Sequence, residues 1–205
     1  MKIIDLTHNF TKTMPAFPGD DPPLLIEERD DDNKIVHYRI ETGMHIGTHM
    51  DGPLHMVPNG RMLSEIDVSA FIAAGHLIDA RKKARLDASL IADIDISPRD
   101  CVLFYTGWDE RFDSPDFYTS YPVMTEKLAH ALTAKKISFI GIDTPSPDRA
   151  PYAIHRILLK EEILIIECMN NLSYLLTINR FEVIALPAKF EAEAAPVRVI
   201  ARIEE

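Results

Sequence analysis

Apolar and polar positions along this chain alternate in short blocks of strand length, with few stripes at helical spacing. Lys2 to Asp5 reads as a strand. Leu24 to Glu28 and Ile35 to Thr42 read as two more, a hairpin across the solvated turn Asp30-Asp31-Asp32, which is not taken for a calcium site. Asn9 to Pro23 carries four prolines and reads as an ordered loop. His76 to Asp79 reads as a short strand, Ala88 to Ile94 as a helix, and Val102 to Tyr105 as a strand. Pro122 can occupy the first position of a helix on which Met124, Leu128 and Leu132 share one face and which Lys136 closes. Ile137 to Ile142 and Ile163 to Ile166 are apolar runs of buried-strand type. Phe181 to Leu186 and Val197 to Ile203 close the series. Strands early and βαβ pieces later predict an α/β protein with a mixed sheet.

Composition narrows the class. The 205 residues suffice for one sizeable core, and no linker divides them, so 1–205 is expected to be a single domain. A formal charge of −10 argues against a nucleic-acid-binding surface. No apolar run reaches spanning length and the N-terminus lacks a signal-type segment, so no membrane partner is expected. Cys101 and Cys168 lie far apart, which suggests free thiols and a cytoplasmic protein. No Gly-x-Ser-x-Gly elbow is present, which removes the usual serine esterase.

The chemistry concentrates in His45-Ile-Gly-Thr-His49-Met-Asp51-Gly-Pro-Leu-His55. Three of the eight histidines and a carboxylate fall within eleven residues. Imidazole with carboxylate suits Zn²⁺, with Mn²⁺ or Fe²⁺ as alternatives. A helix would turn Asp51 well away from His49, and Gly47, Gly52 and Pro53 oppose a helix interior. On a strand, His45, Gly47, His49 and Asp51 share a face, yet a straight strand would hold His45 and His49 roughly 13 Å apart. The strand must therefore bend or end within the motif, with Gly47 and Gly52-Pro53 as the turning points. Ligands from one segment need others from elsewhere. Glu167, ending the run Ile163 to Ile166, is either an exposed strand-end carboxylate or a buried one, which is costly unless paired or bound to a cation.

The motif resembles the HxGTHxDxPxH signature of the metal-dependent cyclase family, which includes bacterial-type kynurenine formamidases and isatin hydrolases. Asp5-Leu-Thr-His8, Met14 to Asp20, Thr106-Gly-Trp108, Tyr121-Pro122, Gly141 to Thr144 and Ser146-Pro-Asp148 resemble further blocks of that family. The resemblance implies a swivelling β/β/α fold and a site of one or two ions. It implies His45, His49 and Asp51 as ligands, His155 and Glu167 completing a second position with Asp51 bridging, and His55 as acid/base. It further implies hydrolysis of a small aromatic amide by metal-activated water, with an N-formylkynurenine-type arylformamide of tryptophan catabolism first. Ring-opening of isatin or another cyclic amide or lactone is the alternative, and a non-catalytic metal- or ligand-binding protein the competing class. A homodimer or homotetramer is implied on the same ground. Asp143 is read first as a turn or helix cap, and Trp108 and Phe17 as packing residues that can also line an aromatic pocket. His8, His37, His76 and His130 are read as structural or solvated.

Overall fold

The strands of this protein close on themselves. The computed structural model describes residues 1–30 and 32–203, so Asp31 of the acidic turn lies outside the described residues. The strands among the described residues are β1 (Lys2–Asp5), β2 (Leu24–Asp30), β3 (Ile35–Glu41), β4 (His49–Asp51), β5 (Ile72–Asp79), β6 (Arg85–Leu86), β7 (Cys101–Tyr105), β8 (Val123–Met124), β9 (Phe139–Ile142), β10 (Leu164–Glu167), β11 (Glu182–Pro187) and β12 (Ala194–Ile203). The α-helices among them are α1 (Glu126–Lys135) and α2 (Ala153–Lys160). The main sheet runs β1-β12-β11-β5-β7-β9-β10-β4, and β12 also pairs with β4. That last pairing closes a seven-strand mixed barrel, with β1 added beside β12. Neighbours β5, β7, β9 and β10 are parallel; the other barrel pairs are antiparallel.

Period-two alternation builds two cores from one wall. Cys101, Leu103 and Tyr105 of β7, Phe139 of β9, Leu164 and Ile166 of β10, Met50 of β4 and Val197, Val199 and Ala201 of β12 pack together inside the barrel. Val102, Phe104, Ile140, Ile142 and Ile165 point the other way, onto Leu128 and Leu132 of α1 and Ile154, Leu158 and Leu159 of α2. Gly141 faces the interior, where an added Cβ would lie 2.3 Å from Met169 Sδ.

Several sequence expectations need correcting. Ala88 to Ile94 holds only a 3-10 turn over Ala88–Ile91, capped by Asp87 through Ser89 N. The helix expected from Pro122 begins at Glu126, because Val123–Met124 pairs in parallel with Arg85–Leu86 and Thr125 caps Leu128 N. Tertiary pairing overrides a favourable helix start there. Lys136 does close α1, in the left-handed conformation. The strand placed at His76 begins earlier, since Ile72–Ala74 pairs with β11 and Gly75–Asp79 with β7. The run at Ile137 becomes strand only from Phe139. The β2–β3 hairpin forms as expected and leaves Ile35, Val36, Tyr38 and Ile40 about half exposed. No helix of the described residues is long and apolar enough to cross a membrane.

Candidate metal centre

The barrel's alternation decides where the motif points. Met50 and Ile166 fill the interior, so their neighbours His49, Asp51 and Glu167 face outward. The antiparallel register sets Glu167 opposite His49 and Ile165 opposite Asp51. Outside this wall packs α2, and His155 lies in its first turn. Before β4 the chain bends as the glycines predict. Gly47 has φ of +62°, and a Cβ there would meet Met14 Cε at 2.3 Å. After β4, Gly52 precedes a 3-10 turn at Pro53–His55, which returns His55 toward the wall. The ring centroids of His45 and His55 are 4.3 Å apart, and those of His55 and His155 are 5.7 Å apart. All six residues singled out from the sequence therefore meet around one cavity of about 230 Å³, joined by Phe17, Met56, Tyr118, Tyr152, Ser146 and Cys168.

Contacts within the cluster are close but poorly directed for hydrogen bonding. His49 Nε2 lies 3.5 Å from Asp51 Oδ1 and 3.3 Å from Glu167 Oε2. His155 Nε2 lies 3.7 Å from Asp51 Oδ2 and 3.3 Å from Glu167 Oε1. His45 Nδ1 approaches Asp51 Oδ1 at 2.9 Å. Among the described residues, His49 Nε2, both Asp51 oxygens and Glu167 Oε1 are buried with no hydrogen-bond partner. Leaving such atoms unmet costs about 1–3 kcal/mol each, more for charges. Two ligands about 2.1 Å from a shared tetrahedral ion sit roughly 3.4 Å apart. The four separations of 3.3–3.7 Å made by His49 and His155 fall around that value. The donor set fits a divalent cation by type, by spacing and by its unmet atoms. Donor atoms of His45, Asp51 and His55 form one group within reach of a common ion, and those of His49, Asp51 and Glu167 another. Asp51 belongs to both.

The histidines divide by what holds the ring from behind. His49 Nδ1 is 2.8 Å from the Gly47 carbonyl, and His155 Nδ1 is 2.7 Å from Asp148 Oδ1. His45 Nε2 is 3.4 Å from Glu193 Oε1. Each of these three turns its other nitrogen toward Asp51. Such ties are the usual outer support of metal-bound imidazoles. His55 has no tie of this kind among the described residues. Electrostatics separates the same groups. Burial disfavours the charged form of His49, but Asp51 and Glu167 outweigh it and raise the pKa to about 9. His45 and His155 are raised for similar reasons, against their own burial. Burial works against Asp51 as well, yet His49, His155 and His45 hold it well below the carboxylate range. His55 is the exception: burial prevails and lowers its pKa.

Sequence reasoning missed Asp148 and Glu193 as supports. Asp148 lies seven residues before His155 and four before the N-cap Tyr152, so its place in the Ser146-Pro-Asp148 block was its one usable signal. Asp143 is a cap, as first read. Its carboxylate accepts from Thr106 N and Oγ1, Gly107 N and Trp108 N. Trp108 does not line the cavity; its Nε1 donates to the Phe117 carbonyl, while Phe17 does line it. Both cysteines are free and buried, and Cys168 borders the cavity.

A barrel wall carrying a buried His/Asp/Glu cluster places the molecule in a defined group. The chain belongs to the putative cyclase family, whose sequence model matches residues 4–149. It is 27% identical over 216 residues to a kynurenine formamidase of Salinibacter ruber, with 98% of each chain covered. It is 25% identical over 207 residues to a kynurenine formamidase of Bacillus anthracis, covering 98% of this chain and 97% of that one. Among solved structures, a predicted metal-dependent hydrolase from Bacillus stearothermophilus is 28% identical with a TM-score of 0.82, covering 98% of this chain and 97% of that one. Isatin hydrolase A from Labrenzia aggregata, bound to benzyl benzoate, is 26% identical with a TM-score of 0.87, covering 100% and 94%. The family match ends before His155 and Glu167, which fall within the nearly full-length alignments.

Proposed function

We propose that residues 1–205 act as one metal-dependent hydrolase domain that cleaves a carbon–nitrogen amide bond, with an N-formylkynurenine-type arylformamide as first substrate. One observation carries the reading: four unmet polar atoms of His49, Asp51 and Glu167 face one another inside a buried wall. His45, His49 and Asp51 would hold one ion, and His155 and Glu167 with Asp51 would hold a second; Glu167 lies 3.3 Å from both His49 and His155. Zn²⁺ is the first choice of metal and Mn²⁺ the second. Bound there, a divalent ion supplies Lewis-acid polarisation of a carbonyl and acidification of water.

The chain's own residues supply the rest. His55, untied and with burial disfavouring its charged form, takes a proton from an attacking water at one ring nitrogen and returns it to the departing amine. Phe17, Tyr118 and Met56 flank the cavity and suit an aromatic ring beside the amide. A second reading, ring-opening of a cyclic amide of isatin type, draws on the likeness to isatin hydrolase A. A cytoplasmic homodimer or homotetramer completes the proposal, supported by the family resemblance and, for location, by two free thiols.

The test is metal-dependent turnover. Chelator-treated protein, reloaded with Zn²⁺ or Mn²⁺, should hydrolyse an aryl formamide, and the apo form should not. Faster turnover of isatin than of any formamide would favour the second reading. Metal uptake without turnover on formamides, isatins, lactones or cyclic imides would favour a non-catalytic binder.

A further inference from the structure

We propose that Asp148 is the positioning residue of the second ion position, because its carboxylate dictates which imidazole nitrogen His155 presents to Asp51 and Glu167. The proposal rests on the metal-site reading above. Asp148 is buried, and both of its oxygens are used. Oδ2 accepts from Ile154 N at 2.6 Å and His155 N at 3.4 Å, which caps the first turn of α2. Oδ1 faces His155 Nδ1 at 2.7 Å. The backbone of Asp148 is fixed too: its carbonyl accepts from the Tyr121 hydroxyl at 2.8 Å, and its N–H donates to Ser146 Oγ at 3.4 Å.

The consequence follows from hydrogen-bond inventory. An ionised carboxylate only accepts, so the proton between Asp148 and His155 belongs to Nδ1. The carboxylates favour the charged ring when no cation is present, but a ligand imidazole must be neutral and carries one ring proton; with that proton on Nδ1, the Nε2 lone pair faces Asp51 Oδ2 and Glu167 Oε1. One side chain thus sets where α2 begins and what His155 offers the site. For His49 the same job falls to the Gly47 carbonyl, which no substitution removes. At His155 it falls to a side chain, so it can be changed.

Asp148→Asn is the informative change. Asparagine has one acceptor oxygen. If that oxygen stays on the α2 N–H groups, the amide NH₂ faces His155 Nδ1. The ring must then accept at Nδ1 and carry its proton on Nε2, where it blocks a ligand. This is the wrong-tautomer effect of replacing a histidine-orienting carboxylate by its amide.

The experiment reads both zinc equivalents by chelator competition. Asp148→Asn should weaken the second equivalent by roughly 10–100-fold, the usual worth of an outer-shell partner. It should leave the first equivalent unaltered within about twofold, a limit set by normal non-additivity of independent sites. In a His155→Ala background, which removes a ligand of the second position, the same change should again leave the first equivalent unaltered. Parent-like affinity for the second equivalent in Asp148→Asn would overturn the proposal. Comparable weakening of the first equivalent would overturn it too, because Asp148 would then act through the fold. Histidine-ring ¹⁵N NMR of the zinc-loaded parent gives a check that needs no variant. His155 should be protonated at Nδ1, and a proton on Nε2 would contradict the assignment. A parent that takes up no zinc would sink the metal reading and this proposal together, whereas a zinc-binding parent with an indifferent Asp148→Asn would sink this proposal alone.

Discussion

Two aspartates at the ends of the strands that flank β10 are equally buried and entirely differently served. Asp143, just past β9, is 0% exposed, and Asp51, at the end of β4, is 1% exposed. Asp143 accepts hydrogen bonds from three backbone N–H groups and one hydroxyl over Thr106–Trp108. Neither oxygen of Asp51 has such a partner among the described residues. Burial still pushes Asp143 up to about 6, whereas His49, His155 and His45 hold Asp51 well below the usual range. Asp143 is surrounded by dipoles that the fold supplies permanently. Asp51 is surrounded by groups that would themselves be ligands, and its charge calls for a cation. A buried carboxylate is therefore informative about function only after its donors have been counted.

The strongest way to break this comparison is to neutralise each aspartate. Asp51→Asn should abolish metal uptake and reduce hydrolysis to the uncatalysed background, with the protein still folded; retained turnover would remove Asp51 from the site. His55→Ala comes next. It should keep its metal while turnover falls by roughly 10²–10⁴-fold, the usual worth of a general acid/base. Loss of metal in this variant, as expected for His49→Ala, would make His55 a ligand.

Asp143→Ala should give the opposite phenotype. Unmet donors at Thr106, Gly107 and Trp108 should lower stability by about 2–4 kcal/mol, read from denaturant midpoints, with metal stoichiometry unchanged. Lost metal binding would blur the distinction between the two aspartates.

The smallest effect concerns His8, a half-buried group away from the cluster. It stacks on Phe112 at 3.7 Å, and burial lowers its pKa from 6.5 to about 4. The unfolded chain therefore binds the proton more tightly, and stability from neutral His8 is present above pH 6.5 and lost as pH falls toward 4. With partial solvent screening this amounts to on the order of 1–2 kcal/mol. A His8→Gln variant should show a flatter stability profile across that window, and an unchanged slope would remove His8 as its source.

Much of the candidate site's arrangement was legible because its constraints are local. Gly47 and Gly52-Pro53 announce a bent strand flanked by a turn, and the structure has β4 bounded by both. Glu167 stands out as a carboxylate ending an apolar run. The cross-strand match of His49 with Glu167 was not legible, because register is set by the closed barrel and not by either segment. His155 required the family resemblance, since an isolated histidine on an amphipathic helix has no chemical signature. Asp148 was visible only as a landmark, because its role depends on reaching forward to a helix that begins five residues later. The shortened element at Ala88 and the late start of α1 failed for another reason. Pairing of Arg85–Leu86 with Val123–Met124 is a long-range contact that no window of residues contains.

Zinc titration of the chelator-treated protein tests the central claim most directly, with Asp51→Asn and Asp143→Asn run in parallel. The account predicts saturable uptake of two equivalents by the parent and by folded Asp143→Asn, and none by Asp51→Asn. Equal uptake by all three proteins, or no saturable uptake by the parent, would contradict it.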